Sequence, residues 1–413
     1  MNAVATLGLD PSRAVDPAGY ALGRRAPGAA VKPVSATEAA EALKAASRGG
    51  LAVVPWGGGT QLDRSRAPLR YDLALDLSGL DRVLDYDPED LTVTAECGVT
   101  IATLRATLGA RGQELPLESP HAARATLGGV LAANASGPRR LRFGAPRDRI
   151  LGARFALADG TLARSGGKVV KNVAGFAIHR LLCGSRGALA VMLEASLKLL
   201  PAPQTRAALI YAATRESLGD ASRWTFLPRL EAAFVTVLGV AAGGAMPPEA
   251  RSRADFTVIV GLEDDAAWVA EQEKRVTAAL GPPARRLEGD QAVALAQALA
   301  DAEDHATPRL TLTSPHNTPA ALGGLVKHAA APALVFHATA GRLHWFPGPG
   351  DDTSLVSELF GLGFTPIGVR GAVTYQPAIP PETGVRALRA RIREALDPAR
   401  SLSLGEVWEG GPA

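Results

Sequence analysis

Three consecutive glycines and a threonine, Gly57, Gly58, Gly59 and Thr60, stand directly behind the apolar run LAVVPW (51–56). A run that short and apolar reads as a buried strand. A strand-to-strand turn rarely needs more than one residue without a Cβ, so the loop is expected to meet a partner at backbone distance. Successive N–H groups free of side chains form a concave anion site, and Thr60 adds a hydroxyl donor. Two phosphate-loop types are excluded. A dinucleotide fingerprint needs a glycine at its sixth position and a helix opening on the loop; here the sixth position is Leu62, and DRSRAP behind it has no helical period. A P-loop needs a closing Gly-Lys-Ser/Thr, which does not follow.

The surrounding pattern is α+β. Ser35 and Glu38 open a helix that ends at Gly49-Gly50, and the glycine loop's strand comes next. LALDL (73–77) and LTVTAE (91–96) read as strands, Thr100 opens a helix, and Asp159-Gly160 marks a hairpin turn. A second small-residue stretch, ATLGGVLAANASG (125–137), would also let a backbone lie against a ligand, although close helix packing explains it nearly as well. PAPQTR (201–206) reads as a linker. Beyond it come two strands, the helix DDAAWVAEQEKRVTAAL, the strands RLTLTS, ALVFHA, RLHWF and GVRGAVTYQ, and a helix carrying Val385, Leu388, Ile392 and Leu396. The expected division is a flexible tail over 1–27, a first domain over 28–203, and an α+β domain with a largely antiparallel sheet over 204–413.

Composition removes several function classes. The 44 basic and 41 acidic residues leave a formal charge of +3, so nucleic acid is not expected as a partner. Cys97 and Cys183 are the two cysteines, too few for a disulfide framework or for the four thiolates of a typical iron–sulfur cluster. A cytoplasmic setting is expected. The stretch AAFVTVLGVAAGGAMPP (232–248) is interrupted by glycine and proline and is short of a bilayer span.

The segments VVPWGGGTQLD, ESPHAARATLGGVLAANASG, LRFGAPRDRILGARFALADG and GKVVKNVAGFAIHRLLCGSRGALAVMLEASLKL resemble, in this order, FAD-binding domains of the vanillyl-alcohol oxidase and p-cresol methylhydroxylase type. Within that family KNVAGF is most similar to the FAD-binding E-type subunits of bacterial glycolate oxidases. The resemblance implies a bipartite FAD domain of two lobes followed by an α+β cap. It implies that Gly57, Gly58, Gly59 and Thr60 cradle the FAD pyrophosphate. Pro120, Ala125, Thr126, Gly128 and Gly129 would run along the pyrophosphate and flavin ring, with Ser136 and Gly137 nearby and Val191 at the adenine. Trp56 stands near the place where some relatives carry a flavin-linking histidine, so FAD is expected to be non-covalent. The family's Gly-Thr-Leu-Gly-Ile-Ile-Thr run reads Gly187-Ala188-Leu189-Ala190-Val191-Met192-Leu193 here, which loosens the expected adenine contacts.

Catalytic relatives carry His-x-Gly-Asp-Gly-Asn-Leu-His, which helps to hold a metal and the base. This chain has HATAGRLH, His337 to His344, in which Ala340 and Arg342 replace Asp and Asn. With Ala340-Gly341 as a two-residue turn, the histidines would face each other, their Cβ atoms roughly 4.5–5.5 Å apart. Arg342 would share their face, and LDPARSLSLGEVWEG downstream offers no third ligand, so no metal is expected and His337 and His344 are weak catalytic candidates. The resemblance implies an FAD-dependent oxidoreductase subunit of a glycolate oxidase complex, relaying electrons or supporting a catalytic FAD-binding sister subunit. An iron–sulfur subunit would complete the complex, attached peripherally to the inner face of a membrane, and its substrate would be a small 2-hydroxy acid. The alternatives are a self-sufficient 2-hydroxy-acid dehydrogenase of the D-lactate type and an assembly subunit with a vestigial pocket.

Overall fold

The computed structural model describes residues 7–62, 68, 70–169, 175–224, 230–239, 254–304, 309–313, 334–346, 354–361, 363–370 and 383–402. Short apolar runs covered on both faces build the first lobe, as parallel pairing requires. Strands β1 (Ala14–Val15), β2 (Ala29–Val31), β3 (Val53–Trp56) and β4 (Leu73–Asp76) lie in the order β1-β2-β4-β3, with β4 parallel to both β2 and β3. The helix Ala36–Arg48 lays Ala39, Leu43 and Ala46 against Val31, Val53, Leu73 and Leu75. Ser35 caps it by accepting from the Glu38 N–H at 3.1 Å. The Glu38 carboxylate turns outward, accepting from the Val34 N–H and pairing with Arg13.

The second lobe follows. Strands β5 (Val83–Asp87), β6 (Thr92–Glu96), β7 (Gln113–Glu114), β8 (Ile150–Ala156), β9 (Leu162–Gly166), β10 (Val191–Lys198) and β11 (Leu200–Pro201) give an antiparallel sheet ordered β5-β6-β10-β8-β9 and a β7–β11 ribbon. Helix Ile101–Gly109, capped by Thr100, and helix Leu127–Ala133, capped by Thr126, pack on this core through Leu104, Leu108, Val130 and Leu131.

The third layer starts at Thr205. Strands β12 (Thr205–Ala213), β13 (Phe234–Gly239), β14 (Phe256–Asp264), β15 (Arg285–Glu288), β16 (Arg309–Thr313), β17 (Leu334–His337), β18 (Arg342–Trp345) and β19 (Thr365–Arg370) form one sheet, ordered β15-β12-β14-β13-β17-β18-β16-β19. All its pairings among the described residues are antiparallel. Helix Ala266–Leu280 covers one face through Val269 and Val276; helix Gly289–Ala302 joins the core of the other through Leu295 and Leu299. This second helix is absent from the sequence reading, although Ala292, Leu295, Ala296 and Leu299 carry its period.

Both chain ends depart from expectation. Of the supposed flexible tail, residues 7–27 are described and dock on the first lobe. β1 pairs with β2, Tyr20 donates to Asp76 at 2.7 Å, and its ring meets Trp56 edge-on with centroids 5.1 Å apart. At the other end, helix Thr383–Leu396 leaves Val385 and Leu388 exposed but sets Ile392 and Leu396 on the core of the second lobe. Asp397 then accepts the N–H groups of Ser401 and Leu402, at 2.8 and 2.9 Å, and this turn seats Leu402 beside Val53 in the first lobe. The C-terminal segment expected to belong to the cap thus closes on the first two lobes. Burial drives this, because Leu402 is fully covered only there.

Candidate functional site

Where the two glycine stretches meet, they make one wall. A Cβ on Gly57 would collide with the Thr126 hydroxyl, and one on Gly58 with the backbone carbonyl of Arg124; Gly59 takes a left-handed φ of +71° against the Trp56 ring. The nearest answer to why no side chain is allowed in the loop is therefore the second motif. The chain presses its own 124–126 turn into it, and the Arg124 guanidinium donates back to Gly58 O at 3.3 Å. Gly128 is equally constrained, since its Cβ would meet Cys97.

This interlock lines a cleft that opens to solvent. Gly57, Gly58, Gly59, Thr60, Thr126, Gly128, Gly129 and Val191 all line it, as does Trp56. Pro120, Ala125, Ser136 and Gly137 do not line it. Ala125 is buried in the second-lobe core, and Pro120 follows Ser119, whose hydroxyl accepts from Gln61 at 3.1 Å. Ser136 and Gly137 pack beside Arg140, Arg342 and Glu118. Lys168 pairs with Asp85 at the surface; Lys171 lies outside the described residues.

The sequence reading missed Arg186. It lines the cleft at a left-handed φ of +56°, held by its own N–H donating to Ala132 O at 2.8 Å. Burial alone pushes its guanidinium below the ordinary value, with no carboxylate opposing. Among the described residues it makes no ion pair. A half-buried cation facing a glycine-walled cleft fits a phosphate-bearing cofactor such as FAD. The cue lay within GSRGALA, masked by the chain's abundance of arginine.

The histidines meet, though by another register. His337 pairs with Arg342 and Val335 with His344, so a four-residue loop, 338–341, replaces the expected two-residue turn. The rings stand with centroids 5.9 Å apart. His337 Nδ1 lies 2.9 Å from Thr236 Oγ1 and His344 Nδ1 lies 3.2 Å from Thr311 Oγ1. Both Nε2 atoms face Glu303, at 3.2 and 3.4 Å. The third donor sought downstream therefore comes from upstream, from the residue after helix Gly289–Ala302. All three side chains are buried, and their donor atoms lie within 4.8 Å of one another.

Two imidazoles and a carboxylate can hold a divalent metal by donor type. Cations already surround the carboxylate, however. Burial would raise Glu303, yet His344, His337 and Arg342 hold it well below the usual carboxylate range. Arg309 donates to the Glu303 carbonyl and pairs with Asp304 at 3.0 Å. Burial pushes His344 far down, so it stands neutral at physiological pH. With His344 uncharged, Arg342 is the fixed cation that offsets the anion.

Comparison with known proteins agrees with this geometry. Residues 27–166 match a family model described as FAD binding domain. The chain is 40% identical over 148 residues to the glycolate oxidase subunit GlcE of Escherichia coli (strain K12), covering 35% of this chain and 42% of that protein. It is 33% identical over 184 residues to the glycolate oxidase subunit GlcD of Bacillus subtilis (strain 168), covering 45% and 39%. The match therefore spans less than half the length of these relatives. A solved structure of p-cresol methylhydroxylase with substrate bound superposes with a TM-score of 0.66 at 16% identity, covering 94% of this chain and 89% of that one. Residues 27–166 are thus similar to an FAD binding domain, on a fold like that of p-cresol methylhydroxylase.

Proposed function

We propose that this chain is a flavoprotein subunit that holds FAD without a covalent link and takes part in oxidising a small 2-hydroxy acid, glycolate first among them. The observation that carries the reading is the cleft in which interlocked glycine loops and the unpaired Arg186 face one another. FAD bound there supplies the acceptor for the two electrons of the alcohol. The chain's own residues bind and orient it: the loop at 57–60 and Arg186 receive the phosphates, and Val191 lies at the wall expected for the adenine.

The non-covalent reading rests on the cleft's side chains. The Trp56 indole donates to the Tyr71 hydroxyl at 2.5 Å and offers no nucleophile. Burial pushes the Cys97 thiol far up, so it stays protonated. Two cysteines, both buried, cannot supply the four thiolates of a typical cluster, so electrons leaving the flavin pass to an iron–sulfur or quinone-linked partner. We therefore place the chain with a sister FAD subunit and an iron–sulfur subunit, in the cytoplasm or at the inner face of the membrane through them. Among the described residues no helix is long and apolar enough to cross a membrane.

The test is direct. The purified chain should carry one FAD that acid releases, and glycolate should bleach it only when the partners are present. FAD retained on the denatured chain, or a colourless protein, would sink the reading. The second reading, a self-sufficient dehydrogenase, is favoured by the His337–His344–Glu303 cluster; bleaching by glycolate without partners, together with a tightly held metal, would establish it instead.

A further inference from the structure

Two guanidinium groups from opposite halves of the chain converge on one serine. Arg140, in the turn that follows the second glycine stretch, donates through Nη1 to Ser136 Oγ at 2.7 Å. Arg342, the first residue of β18, donates through Nη1 to Ser136 O at 2.6 Å. Each guanidinium has five N–H donors, so one bond to Ser136 leaves most of them for another acceptor. Among the described residues neither arginine makes an ion pair with a carboxylate; Glu303 and Asp148 act on them only from longer range. Burial and the facing Arg342 both push Arg140 below its ordinary value. Two half-buried like charges held together with no carboxylate in direct contact are unfavourable, and an anion that bridges them relieves the repulsion.

We propose that Arg140, Arg342 and Ser136 form a subsite for the carboxylate of a small 2-hydroxy acid. This rests on the reading of the chain as a 2-hydroxy-acid flavoprotein and names where that acid is held. A carboxylate suits the pair because planar guanidinium forks bind it through two parallel hydrogen bonds. The cofactor's phosphates have their own cation in Arg186, and the cleft walled by Arg186 and the glycine loops includes none of the three subsite residues. Arg342 pairs across the strand with His337 and alternates with His344 along β18, so the subsite opens on the face that carries the histidine cluster. Here the fixed guanidinium of Arg342 supplies the positive charge. The subsite exists only when both halves of the chain are in place, since Ser136 and Arg140 come from the first and Arg342 from the second.

The experiment uses the FAD-loaded chain and oxamate, a small monocarboxylate that cannot be oxidised at a hydroxyl, with uncharged oxamide as control. Binding is read by calorimetry and by perturbation of the flavin spectrum. Oxamate should bind the unmodified protein, and Arg342→Met or Arg140→Met should each weaken it about ten- to a hundred-fold. Arg342→Lys should lose less, because it keeps the charge and gives up the fork. Oxamide should not distinguish the variants, and FAD content should stay at one per chain in all of them. Oxamate that does not bind the unmodified protein, or that binds both Met variants unchanged, overturns the subsite. So does loss of FAD from the variants, which would assign the arginines to the cofactor. A chain that never holds FAD sinks the function proposed above and the subsite with it, whereas an FAD-loaded chain that ignores oxamate sinks the subsite alone.

Discussion

Replacing Arg186 by Met should move two measurements in opposite directions. The guanidinium lines the cofactor cleft, has no ion-pair partner among the described residues, and is pushed below its ordinary value by burial alone. Without cofactor it is a desolvated charge that nothing offsets, so an apolar chain of similar length should stabilise the apoprotein by on the order of 1 kcal/mol. With cofactor it meets phosphate oxygens, and a charge-assisted hydrogen bond of that kind contributes about 1.5–3 kcal/mol, or roughly ten- to a hundred-fold in Kd. Methionine keeps the left-handed backbone at this position, since neither residue is glycine, and the bond from the Arg186 N–H to Ala132 O does not involve the side chain. Fluorescence titration of the apoprotein with FAD gives the affinity, and urea unfolding of the apoprotein gives the stability. Weaker FAD binding beside a more stable apoprotein is the expected pair. An unchanged FAD affinity would refute the assignment, and a destabilised apoprotein would show that Arg186 has a structural partner of its own.

Gly58→Ala should cost about 1–3 kcal/mol of stability and release FAD together, because its Cβ meets the Arg124 carbonyl and must wedge the two loops apart; retained colour at unchanged Tm would count against the interlock. His337→Ala combined with His344→Ala should leave FAD content unchanged, and the unmodified chain should hold less than one equivalent of metal by elemental analysis, since the Arg342 guanidinium already acts on Glu303 and opposes a second cation there; a stoichiometric metal lost with the double substitution would contradict this. Burial raises Glu118 to about 7 against the opposing charge of Arg139. Its unfolded value is near 4.3, so the native state binds the extra proton, and stability is lost as pH rises from the unfolded value through about 7. Glu118→Gln removes that titration. Its unfolding free energy, from urea titration, should match the unmodified chain's near pH 4.5 and exceed it at pH 8 by at most about 4 kcal/mol. Equal unfolding free energies at both pH values would show that Arg139 compensates the Glu118 charge even while it pairs with Glu114 and Glu263.

The sequence by itself determined the elements whose signals are local. Ser35 and Thr100 start their helices because a side-chain oxygen accepts an orphan N–H three residues on, and Asp159-Gly160 turns its hairpin because the left-handed conformation is cheap there. The glycine stretches were legible as places where a backbone must come close. Which backbone was not, because Gly58 and Arg124 are far apart in the chain and only folding presses them together. The same holds for the sites. His337 and His344 were visible as a pair, but their register is set by β17 and β18 pairing across a four-residue loop, and Glu303 reaches them from a helix the sequence reading did not find. Arg186, Arg140 and Arg342 are indistinguishable by residue type from the chain's many other arginines. What singles them out is burial without a carboxylate in direct contact, a property of three-dimensional surroundings that spacing along a chain does not carry.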